Sequence, residues 1–292
     1  MSSGYQGLRH GAAWLDLSAR GRIVVRGRDR ARLLHAIVSN EVKKMTAGTG
    51  CYAFLLNPQG RIQADLCMFC FDDHFLLDTE PELGEKVRLH IKRYIIADQV
   101  ELEDVTAATA AVGLEGPGSA AVLAALGAPV ADLEGPAYSH APWGDATVAA
   151  VTETGQPGVR IFCPADRFGA LVSQLEAAGA VAASAADARL VRIENGKPRY
   201  GEDIRETSLP QETQQMHAVS FSKGCYLGQE IVERIRAQGR VNKKLMRLVL
   251  EGVEPPAPGA RTTVDGADAE VTSAIVSPES GEVVALAYVR QR

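Results

Sequence analysis

The residues of this chain best equipped for covalent chemistry lie in Lys223-Gly224-Cys225-Tyr226-Leu227-Gly228-Gln229-Glu230. The string runs into Ile231, Val232 and Ile235 at helical spacing and ends near Gly239, so it reads as a loop feeding a helix N-terminus. Cys225 then lies just before the positive end of a helix dipole and two residues from a lysine. Both influences favour thiolate over thiol, and the thiolate is the nucleophile. Gly224 and Gly228 admit a positive φ or a close backbone approach to a ligand. The alternative makes Cys225 a small packing residue.

The eight residues match the K-G-C-[FY]-x-G-Q-E signature. On that string the chain resembles the YgfZ-type folate-binding proteins of iron-sulfur enzyme maturation, relatives of the aminomethyltransferase (T-protein) of glycine cleavage. Upstream, Arg192-Ile-Glu194-Asn-Gly196-Lys-Pro198-Arg-Tyr200-Gly201-Glu-Asp203-Ile204 is similar to the R-x-E-x-G-x-P-x-x-G-x-D segment of the T-protein superfamily. The resemblance implies tetrahydrofolate as cofactor, with Glu194 accepting paired hydrogen bonds from a pterin ring N–H and amino group. It sets Tyr200, Lys223 and Asp65 beside Glu194 as further cofactor-binding residues, and makes Cys225, with Lys223 next to it, a reactive thiol at the mouth of the folate cavity. The implied partners are folate and iron-sulfur client enzymes or assembly proteins. An alternative is a tetrahydrofolate-dependent aminomethyltransferase or related demethylase. Against that alternative, Ala64-Asp65 stands where the aminomethyltransferases carry paired aspartates.

The elements that must position these residues follow from the apolar pattern. Ile23-Val25 reads as a strand and Leu33, Leu34, Ile37 and Val38 as one helical face. Residues 51–79 form a strand, a turn at Asn57-Pro58-Gln59-Gly60, and two more strands; Leu83, Val87 and Ile91 follow at helical spacing. Residues 104–183 alternate strand and helix. Ser184 and Asp187 form a capping pair for a helix through Ile193. Beyond Gly239, short strands separated by Pro and Gly turns make a small β-domain, expected to be a barrel. The fold class expected is α+β: T-protein-like α/β lobes in a cloverleaf around a central folate cavity, with a C-terminal β-barrel. The division expected is 1–103 with 184–240 as a discontinuous folate-binding lobe, 104–183 as a second lobe and 241–292 as the barrel.

Composition narrows the function classes. A chain of 292 residues with 46% hydrophobic and 23% charged residues has the apolar surface for more than one core. A net charge of -5 argues against non-specific nucleic-acid binding, which needs a broad basic surface, and leaves room for a local basic patch. No stretch approaches the roughly 20 apolar residues of a membrane span, and the N-terminus lacks a signal-peptide core, so a cytoplasmic protein without a membrane partner is expected. Five cysteines suit a reducing compartment. Cys67-Met-Phe-Cys70 has metal-site spelling, but residues three apart on a strand face opposite ways. The six histidines lack metal spacing, and no metal is expected. The run Arg234, Arg236, Arg240, Lys243, Lys244 and Arg247 reads as a solvated face or as an attraction for a polyanionic tail or acidic partner.

Overall fold

The structure, a computed structural model, describes residues 1–129 and 135–291. Seven α-helices and fifteen strands build three sheets among the described residues. In the first sheet, β2 (Gly21–Arg26), β3 (Gly50–Leu56), β4 (Ile62–Cys70), β5 (His74–Thr79) and β6 (Glu101–Asp104) are ordered β3-β4-β5-β2-β6, every pairing antiparallel. The helices α2 (Arg30–Ile37) and α3 (Gly84–Lys92) cover one face. Leu33, Leu34 and Ile37 of the one and Val87 and Ile91 of the other join Leu66, Met68 and Cys70 in the main core.

Alternation along β4 does the positioning. Residues 64, 66, 68 and 70 enter that core, while Cys67 and Phe69 point the other way, into a cluster shared with Ala111, Ala149, Val151 and Phe162 of the second sheet. Cys67 and Cys70 therefore pack on opposite faces, as strand geometry requires. The second sheet has the order β11-β1-β7-β10-β9-β8. It comprises β1 (Ala13–Asp16), β7 (Thr109–Glu115), β8 (His140–Trp143), β9 (Ala146–Ala149), β10 (Gly158–Pro164) and β11 (Val181–Ala182). It is roofed by α4 (Ser119–Ala125) and α5 (Phe168–Ala177) through Val122, Leu123, Leu171 and Leu175. We keep the three-unit division as a proposal with one amendment: Ala13–Asp16 pairs with β7 and β11, so the chain enters the second sheet before it builds the first.

Ser184 and Asp187 make the expected capping box on α6 (Ala185–Glu194), satisfying backbone N–H groups that the first turn leaves open. The amphipathic helix α1 (Ser3–His10) packs along α6 through Tyr5, Leu8, Ala188 and Val191. The C-terminal strands β12 (Lys243–Leu250), β13 (Arg261–Val264), β14 (Ala267–Val276) and β15 (Val283–Arg290) pair in the order β12-β15-β14-β13. They form an open four-stranded antiparallel sheet, where a closed barrel was expected. No strand pairing joins β12 to β13 among the described residues, so the sheet keeps two edges. Ile193 of α6 packs on Ile275 and Val284 of this sheet. Among the described residues, no helix is long and apolar enough to cross a membrane.

Candidate functional site

Where the two larger sheets meet, beside the turn that leaves α6 and the 215–217 segment, lies a cavity of about 360 Å³. Asp65 faces it because β4 sends odd-numbered side chains to that side. Tyr52, on the neighbouring strand β3 and in register with Cys67, donates from Oη to Asp65 Oδ2 at 2.7 Å. The other carboxyl oxygen, Oδ1, is buried without a hydrogen-bond partner. Burial, and next the charge of Glu80, raise the Asp65 carboxyl to about 7, against the Tyr52 hydrogen bond and Arg20, which pull it down.

Aromatic faces line the same cavity. The Tyr52 ring stacks on His217, centroids 5.3 Å apart, and lies nearly parallel to Tyr138 at 6.4 Å. Tyr138 adopts φ 69°, a region bulky side chains rarely occupy, and its N–H donates to Ala150 O at 2.9 Å. The surrounding chain thus holds this ring in place.

The rest of the wall is a buried ion network. Asp78, fully buried behind the cavity, accepts from Arg20 Nε at 2.7 Å and from Arg160 Nη1 at 2.6 Å. Arg20 also reaches Glu80 at 2.6 Å, Arg160 reaches Glu153 at 3.0 Å, and Arg199 reaches Glu80 at 2.8 Å. Lys197 donates to Thr152 O. Burial by itself would raise the Glu153 carboxyl, yet Arg20, Arg160, Lys197 and Arg199 together hold it down at about 2. Two of the cavity's three carboxyl groups are thus pushed apart, Glu153 staying ionised and Asp65 changing charge near neutrality.

Of the five residues given a role from the sequence, Asp65 lines this cavity, together with Arg192, Gly196, Lys197, Pro198 and Arg199 of the R-x-E-x-G-x-P string. Glu194 has other partners: Oε1 accepts from Tyr5 Oη at 2.7 Å and Ser277 Oγ at 2.6 Å, while Oε2 lies 3.6 Å from Arg9 Nε. Its backbone O accepts from Arg247 Nε at 2.6 Å. A residue at the end of α6 with its side chain engaged by α1 and the C-terminal sheet clasps those elements together. Oε2 is buried without a hydrogen-bond partner, and Glu194 is not among the residues that line the cavity. Tyr200 is buried, its Oη donating to Gln63 O at 2.8 Å.

Lys223 is buried as well. Its Nζ donates to the carbonyls of His35, Val38 and Asn40 at 2.5, 2.7 and 2.7 Å, capping the C-terminal end of α2, and lies 4.9 Å from the Tyr226 ring centroid. Burial lowers its ammonium to about 8. Tyr226 is buried in the main core. Gly228, at φ 81°, presses on the 57–60 turn so closely that a Cβ would come within 2.6 Å of Asn57 O. That glycine is required by contact within the chain, and Gly224 has open space around it and no positive φ. Between these anchors only Gly224 and Cys225 stand exposed, ahead of α7 (Gln229–Gln238). Cys225 is not among the cavity-lining residues.

Sequence reasoning passed over Tyr52, Tyr138, His217, Arg20, Arg160 and Glu153. Lys197 lay within the R-x-E-x-G-x-P string without a role. A strand position that alternates with apolar neighbours, as Tyr52 does, was the one available signal; burial of the charges depends on contacts between distant segments.

The three-dimensional arrangement is a mixed α/β fold of the glycine cleavage T-protein type. The aminomethyltransferase T of the glycine cleavage system from Bartonella henselae superposes with a TM-score of 0.87 over 98% of this chain and 80% of that one, at 22% identity. The family described as the GCVT N-terminal domain matches residues 2–223. An aminomethyltransferase of Rubrobacter xylanophilus is 30% identical over 98% of this chain and 78% of that protein, and one of Thermosynechococcus vestitus is 27% identical over 98% and 78%. The chain belongs to the GCVT family, within the aminomethyltransferase superfamily.

Proposed function

We propose that this protein is a folate-binding accessory factor of the YgfZ type, acting in assembly or repair of iron-sulfur clusters. Tetrahydrofolate would occupy the central cavity, and Cys225 would act outside it on a client enzyme or assembly protein. The observation that carries the folate half is the Asp65 Oδ1 atom, buried and unpartnered beside the Tyr52, Tyr138 and His217 rings. A flat heterocycle with N–H donors on its edge fits such a wall, stacking on the rings while Asp65 accepts its hydrogen bond. Asp65 is one of the cofactor-binding residues expected from the sequence, and the one of them that lines the cavity. Tetrahydrofolate, when bound, supplies a one-carbon carrier; this chain's residues stack it, pair its edge and keep water from its buried face.

The thiol half rests on the K-G-C-Y-L-G-Q-E string and on the exposure of Cys225 at the tip of a loop anchored by Lys223, Tyr226 and Gly228. An exposed thiol on a fixed loop is presented to a macromolecule rather than enclosed with a small substrate.

A second reading, a tetrahydrofolate-dependent aminomethyltransferase or demethylase, is favoured by the names of the relatives and by one structural fact. Position 64 packs in the main core, opposite to Asp65, so a carboxylate there would not face the cavity. Ala64 therefore counts for less against this reading than the sequence suggested.

Calorimetric titration with tetrahydrofolate tests the proposal. Wild type and Cys225→Ser are expected to bind alike and Asp65→Asn at least tenfold more weakly; absence of binding by wild type would remove the folate half. Full restoration of cluster-dependent enzymes in a deletion strain by Cys225→Ser would remove the thiol half. Formation of methylenetetrahydrofolate in a reconstituted glycine-cleavage assay would instead establish the second reading.

A further inference from the structure

Burial takes charge from two lysines of this chain, and their surroundings differ. Lys223 lies outside the central cavity and directs its ammonium N–H bonds at three carbonyls at the end of α2. Lys197 lines the cavity and donates to one acceptor, Thr152 O. The carboxylates whose charge reaches it are engaged elsewhere, Glu153 by Arg20 and Arg160, and Glu115 by the Thr154 hydroxyl and the backbone N–H groups of Glu153 and Thr154. The remaining N–H bonds of Lys197 Nζ thus lack a partner among the described residues. The turn that leaves α6 fixes the backbone beneath this side chain: Gly196 holds φ 70°, and the Lys197 N–H donates to Arg192 O at 2.8 Å.

An amine so placed is a nucleophile that the roles assigned above leave unused. Burial lowers the Lys197 ammonium; Glu153, Glu115 and Cys67 oppose that and Arg160 adds to it, with a net lowering. His217, another lining residue, is itself lowered by burial and then by Lys197, and brings no positive charge at neutral pH. Cys67, the other nucleophile of the lining, is held as the thiol, pushed up to about 11 by burial. A desolvated lysine with its lone pair free attacks carbonyl carbon. A proton relay lines the same cavity: Asp65, nine-tenths buried with Oδ1 unpartnered, has its carboxyl raised to about 7.

We propose that Lys197 is a covalent capture site in the central cavity, forming an imine with a flat, conjugated aldehyde. The nitrogen attacks the carbonyl carbon; the two protons it gives up pass through Asp65 to the carbonyl oxygen, and that oxygen leaves as water when the C=N bond forms. One amine and one aldehyde give one imine and one water, with no oxidant or reductant, and water reverses the step. The class of aldehyde follows from the wall, because the Tyr52, Tyr138 and His217 rings stack a flat conjugated system, and a cavity of about 360 Å³ limits its size. The inference goes beyond the folate reading and does not depend on it.

The test incubates the full chain with pyridoxal in the absence of folate, follows the imine by its absorbance, fixes it with borohydride and locates the adduct by peptide mapping. An adduct on Lys197 is expected, formed about tenfold faster than on the exposed Lys43 and Lys44. Lys223, outside the cavity and held by three carbonyls, is expected to stay unlabelled. Lys197→Arg keeps a donor for Thr152 O and is expected to lose the fast adduct with an unchanged circular dichroism spectrum. Asp65→Asn is expected to slow capture severalfold without moving its site. Labelling spread at equal rates over the exposed lysines would overturn the proposal, as would an undiminished fast adduct in folded Lys197→Arg; if that variant does not fold, the mapping of wild type decides. An unchanged rate in Asp65→Asn would overturn the relay through Asp65. None of these outcomes touches the folate reading, which the titration with tetrahydrofolate tests separately.

Discussion

The central cavity draws its lining from residues as far apart in the chain as Arg20 and His217 and buries most of their charge; the Cys225 loop uses eight consecutive residues and exposes its thiol. In the cavity wall the paired charges are held by one another: Asp78 by two arginines, Arg20 by Asp78 and Glu80, Arg160 by Asp78 and Glu153. The loop is instead pinned at its ends, by Lys223 on α2 and Gly228 on the 57–60 turn, and its thiol bears no load. The difference separates two kinds of functional residue. The paired charges of the cavity wall cannot be changed without disturbing the fold, whereas the thiol can be removed and its role read cleanly.

The sharpest way to break this contrast is Asp78→Ala. It leaves Arg20 and Arg160 buried without their shared carboxylate, and a loss of about 3–5 kcal/mol in denaturant unfolding is expected. A loss under about 1 kcal/mol would mean that the cavity charges are solvated and mutually independent. Lys223→Met comes next, because three carbonyls at the end of α2 lose their donor. We expect about 2–3 kcal/mol, accompanied by faster amide exchange through 223–228. Unchanged exchange would show that the loop holds its place without that anchor.

Asp65 sharpens the comparison through pH. Its carboxyl is raised from 3.8 to about 7, so the folded state holds a proton that the unfolded chain has released. The stability this contributes is complete below about pH 4 and is lost as pH rises through about 7. Asp65→Asn keeps an acceptor for Tyr52 and cannot ionise. Relative to wild type it should gain about 4 kcal/mol between pH 4 and pH 8, measured by unfolding at each pH. Glu153, held near 2, loses its contribution only as pH falls below about 4.5, and it does so in both proteins. A difference that is flat with pH would show that Asp65 stays ionised. The smallest effect belongs to Cys225→Ser, expected within about 0.5 kcal/mol of wild type because the thiol is exposed. A larger loss would make Cys225 a packing residue after all.

Much of the architecture was legible because it is local. Ile23-Val25 followed by Leu33, Leu34 and Ile37, the Asn57–Gly60 turn, and the capping box at Ser184 and Asp187 each depend on residues close in the chain, and each appears in the structure. Helix α1 went unread: it is short, and its apolar stripe of Tyr5 and Leu8 acquires meaning only against α6. The same limit explains the open C-terminal sheet. The strands were visible in their patterns, but whether the outer two pair with each other depends on curvature that no local pattern encodes.

The amino-acid sequence by itself determined the family signature, the strand alternation that turns Asp65 away from the core, and the loop that displays Cys225. Each follows from residue type and spacing along a few consecutive positions. Tertiary structure alone decided that Glu194 clasps α1 to the C-terminal sheet, that Lys223 caps α2, and that Tyr52, Tyr138 and His217 meet around Asp65. The physical reason is that a charged or aromatic side chain takes its role from what surrounds it after burial. Those surroundings come from segments that the chain brings together only when its sheets pack.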